Sequence, residues 1–146
     1  MNLNNPHELE RYSFVWSEVR LIVAAIALFL GGVPPIYLIA PSSLFGLARS
    51  GLVICWIISG ITSLYLLYRW HVARHTLFGK KDTKDTFAFL VLAVSGINLG
   101  LVALLGRNIG MSIASGKVVF LVTGVVYLVC AIYLYQRWNK SGQKIF

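Results

Sequence analysis

Few side chains in this sequence could do chemistry inside a membrane, and each sits in an otherwise apolar run. Gly31, Gly32, Pro34 and Pro35 form a Gly-Gly-Val-Pro-Pro segment. Proline has no N–H to give to the carbonyl four residues back, so Pro34 and Pro35 free the carbonyls of Leu30 and Gly31. Carbonyls freed at a broken membrane helix can coordinate an ion or a polar substrate; otherwise the break is a bend whose acceptors are satisfied by neighbouring helices. Asn98 lies near the middle of a later apolar run, with Ser95 about 60° from it around the helix. An amide at that depth is costly against lipid, so it is expected to meet protein or water, as interhelical glue or as part of a pathway. With Tyr127 on the last run, these residues make up the candidate site.

Other chemistry has thinner support. His71 and His75 are four apart on one helical face and form a weak candidate metal pair, but no further ligands are evident and no metal or other cofactor is expected. Glu18 could pair with Arg11 or with a basic residue of the middle loop, or couple to a proton. There is no Cys-x-x-Cys and no His-Glu-x-x-His. The last three apolar runs contain no acid or base, so general acid–base catalysis within them would lack its groups. A self-contained enzyme is not expected. Cys55 and Cys130 fall at depths differing by roughly 12 Å along their helices, beyond the roughly 7 Å Cα separation that a disulfide tolerates. Both read as small apolar residues.

The elements that must position these groups are four uncharged stretches, Leu21 to Ala40, Gly51 to Tyr68, Thr86 to Gly106 and Val118 to Gln136, each 18 to 21 residues long. A helix of that length crosses a hydrocarbon core of about 30 Å. Apolar residues make up 58% of the 146, charged residues only 12%, and mean hydropathy is +0.75. A soluble domain carries about twice that share of charge. The connections are too short for a folded domain, and short connections make successive helices antiparallel neighbours. The expected architecture is therefore all-α: a polytopic integral membrane protein forming an up-and-down four-helix transmembrane bundle. Residues 1–146 make a single transmembrane domain with spans near 17–40, 50–70, 86–106 and 116–138. The first helix is expected to kink at the Gly-Pro run. Asn5, Pro6 and Glu8 read as a helix start rather than a cleaved signal. Leu9, Tyr12 and Trp16 then form an interfacial lead-in along the headgroups.

The net charge of +8 is an orientation signal. With the N-terminus inside, Arg11, Arg20, Arg69, Arg74, Lys80, Lys81, Lys84, Arg137, Lys140 and Lys144 share one side, and only Arg49, Arg107 and Lys117 lie opposite. Positive-inside asymmetry then predicts cytoplasmic termini and a cytoplasmic loop at 69–85. No nucleic-acid-binding module is evident, and the partner expected for this charge is the lipid headgroup region.

Small-residue ridges cover the spans. Gly51, Cys55, Ser59 and Ser63 recur every fourth residue on the second. Ala93, Gly96, Gly100 and Ala103 fall within about 80° on the third, and Gly124 lies on the fourth. Such ridges let backbones approach closely. The third helix, small on one side and polar on the other, offers more packing surface than one chain is expected to use. The leading functional expectation is accordingly a non-catalytic packing or accessory subunit of a homo-oligomer or larger membrane complex. The alternative is a small oligomeric channel or transporter with its pathway near the broken first helix and Asn98. The second and fourth spans also end alike, in Tyr65-Leu-Leu-Tyr-Arg-Trp70 and Tyr133-Leu-Tyr-Gln-Arg-Trp138. Duplication of a helical hairpin would produce this, as would the usual placing of aromatics and arginines at membrane interfaces.

Overall fold

A computed structural model describes residues 6–113 and 116–146, so the expected cap at Asn5 lies outside the described residues. The described chain is helical. Four helices are long and apolar enough to cross a membrane: α1 (Pro6–Phe29), α3 (Phe45–Val72, preceded by a single 3₁₀ turn at Ser42–Leu44), α4 (Thr83–Leu105) and α6 (Lys117–Lys140). By length and composition they suggest an integral membrane protein. Two short helices, α2 (Ile36–Ile39) and α5 (Ile109–Ile113), sit in the connections at the end opposite the termini.

The first helix differs from its expectation at its C-terminal end. It ends near Phe29 instead of kinking. Gly31 donates to the Leu28 carbonyl at 3.0 Å and Gly32 to that of Ala27 at 2.8 Å, with φ of 76° and 86°. This is a Schellman cap, which needs left-handed backbone and so favours glycine. It satisfies the carbonyls of Ala27 and Leu28, and the prolines then start the separate helix α2. At the other end the lead-in is continuous with α1 and packed: Glu10, Ser13 and Phe14 are buried, and Phe14 meets the Trp138 ring at 5.5 Å. Of the residues expected along the headgroups, Leu9 and Trp16 are partly buried and Tyr12 is exposed.

Helix α4 starts on Asp82, whose carboxylate accepts from the Lys84 N–H at 2.7 Å, and stops at Gly106, with φ 67°. Around the bundle the order is α1, α3, α4, α6; α1 reaches across to α4, whereas α3 and α6 stand at opposite corners without contact. The tightest seam is α3 on α4. A Cβ placed on Gly60 would come within 2.9 Å of the Gly100 Cα, and one on Gly96 would overlap the Ser63 hydroxyl. Ala93 is also buried, and Gly124 receives the Phe29 ring. Gly51, by contrast, faces open space and Cys55 is exposed, so the first half of the expected α3 ridge is not in a seam; Ala103 is only partly buried.

The end carrying the termini is closed. Phe14, Leu77, Phe78, Phe89, Leu134, Trp138 and Ile145 form one core there. A two-residue turn at Phe78-Gly79 pairs Leu77 with Lys80, and Phe78 donates to the Ile145 carbonyl at 2.7 Å, tying the C-terminus to the α3–α4 connection. Two ion pairs flank this core. Arg69 donates to Glu10 through Nε and Nη2. Arg137 grips Asp85 at 2.8 and 2.6 Å, and Tyr133 donates to the same carboxylate at 2.6 Å. Each arginine of the repeated span ending thus holds an acid on the long helix before its own.

Candidate functional site

At the opposite end the helices part around a cavity of about 690 Å³. It has walls from all four long helices and a roof from the short ones. The Gly31-Gly32 turn brings Gly32 against Met111 of α5 and Phe120 of α6, while Pro34, Pro35 and α2 complete the side. Most of the lining is apolar. The polar exceptions gather at two levels.

The outer level is built on Asn98. Its amide donates to the Asn108 side-chain oxygen at 2.9 Å, and its own oxygen accepts from the Gly110 N–H at 3.3 Å. Asn108 also accepts from the Met111 N–H at 3.1 Å. Asn98 therefore anchors α5 to α4 within one chain, and borders the cavity while doing so.

The inner level is built on Arg20. Counted in sequence among the residues of the basic face, Arg20 is instead 7% exposed, inside the bundle. Its Nη1 donates to the Ser95 hydroxyl at 2.8 Å and its Nη2 to the Leu92 carbonyl at 2.7 Å. Ser95 lies one residue past the midpoint of α4, about 15 Å along the helix from Asp85, so the guanidinium is at mid-depth. Nearby, Trp16 donates to the Ser59 hydroxyl at 3.1 Å, and Ser59 donates to the Cys55 carbonyl at 2.6 Å. Arg20, Trp16, Ser59, Ser95 and Tyr127 all border the cavity.

Of the residues singled out from sequence, Gly32, Pro34, Pro35, Ser95, Asn98 and Tyr127 come together around this one space; Gly31 belongs to the turn but not to the lining. Cys55 and Ser59, expected only as packing residues, also line it. The largest omission was Arg20. One signal was present: it falls on the same face as Trp16, four residues earlier, in a helix whose start at Pro6 leaves Arg20 well inside. Glu18 makes neither of its expected pairings. It is buried, its Oε1 has no partner, and it is Glu10 that meets Arg69.

The His71 and His75 rings stack edge to face at 5.3 Å, with Trp70 against His75 at 4.6 Å. Among the described residues no group of three or more His, Cys, Asp or Glu is placed to hold a metal. No protein-family model, curated protein or solved structure matches this chain.

Proposed function

We propose that the protein binds a small molecule within the membrane and moves it, as a small carrier or channel-type protein whose site is the cavity between the Gly31–Pro35 break and Asn98. One observation carries this reading: a cavity of about 690 Å³ reaches mid-depth and ends on a buried guanidinium. Known ligand cavities span about 300–1,000 Å³, with mostly apolar walls and a few placed polar groups. The core at the terminal end supports a carrier over an open pore, because it seals the floor.

The accessory-subunit reading, the leading expectation from the sequence, drew on a third helix with a face to spare. Both faces of α4 are used within the chain: the small face against Gly60 and Ser63, the polar face on Arg20 and α5. The face expected to be spare has partners within the chain, which favours the cavity reading. The orientation proposed is the one expected from charge, with both termini and the 69–85 loop cytoplasmic. Without Arg20 the asymmetry is still nine basic residues against three.

Native mass spectrometry of the protein extracted from its own membranes tests the reading. The expected result is a bound non-protein mass that disappears in Ala27→Phe, which fills the cavity from α1. A fixed complex with other membrane subunits and no bound small molecule would return the accessory reading to first place.

A further inference from the structure

The apolar walls of the cavity leave Arg20 unexplained. Two of its N–H groups are used on Ser95 and Leu92, both uncharged. Its Nε–H is buried with no partner, and each terminal nitrogen keeps one further N–H. The ion pairs among the described residues join Glu10 to Arg69 and His7, and Asp85 to Arg137; all lie toward the terminal end and none includes Arg20. Glu18, two residues away on the same helix, acts on Arg20 through space without touching it. A cation held at mid-depth by two neutral acceptors, with its nearest carboxylate out of contact, is expensive, because those partners replace only part of the solvation it has lost. Proteins keep such a group where a ligand supplies the counter-charge, and guanidinium suits carboxylate and phosphate heads in particular.

The remainder of the cavity describes the remainder of the ligand. Val23, Ala27, Trp56, Leu99 and Phe120 supply apolar lining to the cavity that Arg20 borders. Tyr127, on the neighbouring helix α6, borders the same cavity and offers a phenol as a second donor.

We propose that the cavity holds an amphipathic anion, an acyl chain bearing a carboxylate or phosphate head, with the head on Arg20 and Tyr127 and the chain along the apolar wall. This rests on the binding reading above and adds the chemical class of what is bound.

The full-length protein in phosphatidylcholine nanodiscs is titrated with 12-bromododecanoic acid and, separately, with 12-bromododecan-1-ol, following tryptophan quenching by bromine. Trp16 and Trp56 line the cavity, whereas Trp70 and Trp138 pack in the terminal-end core. The acid should quench saturably at a concentration lower than the alcohol by roughly tenfold or more, the factor expected when one hydrogen-bonded charge partner is present or absent. Arg20→Gln should bring the acid to the alcohol's curve and leave the alcohol's unchanged. Phosphatidylglycerol added to the nanodiscs should compete with the acid if the natural head is a lipid phosphate; competition by oleate alone points to a free carboxylate, and both results support the proposal. Equal quenching by acid and alcohol in the unmodified protein overturns it while leaving the cavity as a binding site, and that comparison needs no variant to fold. No saturable quenching by either probe removes the binding reading as well.

Discussion

At the residue scale, four charged side chains are buried in the bundle: Glu10, Glu18, Arg20 and Asp85. Asp85 is 0% exposed and accepts three hydrogen bonds, two from Arg137 and one from Tyr133. Removing the negative charge takes away the charged acceptor of Arg137, a partly exposed guanidinium, and leaves an amide in a fully buried position, which costs more than losing a neutral hydrogen bond. Asp85→Asn is expected to lower stability by roughly 3 kcal/mol, and Tyr133→Phe by about 1 kcal/mol, measured as unfolding by SDS in mixed micelles. Equal losses in the two variants would mean that the ion pair adds nothing beyond its geometry. Asn98 acts more locally. Asn98→Leu removes its bonds to Asn108 and Gly110 and should speed amide hydrogen exchange across 108–113, while the exchange of α3 and α6 stays as it was. Unchanged exchange in α5 would show that the short helix is held by its apolar contacts.

At the element scale, the α3–α4 seam is the part of the bundle with least tolerance. Helices meet along strips that alternate three and four residues apart, and the strip α3 uses runs through Ser59, Gly60 and Ser63. The sequence ridge at strict intervals of four named Ser59 and Ser63 but continued to Gly51, which drifts off the seam, and it passed over Gly60. The drift follows from geometry: four residues turn a helix by about 400°, so each step along such a row moves about 40° around the surface. Gly60→Ala or Gly100→Ala places a methyl group against backbone and should cost roughly 1–3 kcal/mol. Gly51→Ala meets nothing within 4 Å and should stay within about 0.5 kcal/mol of the parent. The same unfolding titration checks all three, and equal effects at Gly51 and Gly100 would contradict the seam.

At the scale of the whole molecule, the bundle is asymmetric along its axis: a sealed aromatic core and two ion pairs at the end with the termini, a cavity at the other. The cysteines report on that difference. Cys55 is exposed and borders the cavity, and Cys130 is buried between helices. A maleimide is expected to modify Cys55 in the folded protein and to reach Cys130 only after denaturation, by mass spectrometry of labelled peptides. Ala27→Phe should slow the first reaction without allowing the second. Labelling of Cys130 at the same rate as Cys55 would mean that the α1–α6 interface is open.

The four long helices were readable from the chain alone, though not the short α2 and α5, because an uncharged run long enough to cross hydrocarbon must satisfy its own backbone, and a helix does so with bonds four residues apart. The meeting of Gly32, Pro34, Pro35, Ser95, Asn98 and Tyr127 was partly readable for a related reason: polar groups and backbone breaks are poorly tolerated against lipid and turn toward protein. The depth of Arg20 was not readable. Hydropathy assigns a charge to the nearest boundary, and only the packing of α1 from Pro6 onward, with Phe14 seated on Trp138, carries Arg20 to the level of Ser95. Likewise the Gly-Pro run announced a break, but whether it would bend a helix or end one depended on bonds from Gly31 and Gly32 to Leu28 and Ala27. Spacing along one chain sets what each segment can form; where four segments come to rest against one another depends on contacts between residues far apart in sequence, such as Arg20 and Ser95 or Gly60 and Gly100, and these exist only once the bundle has closed.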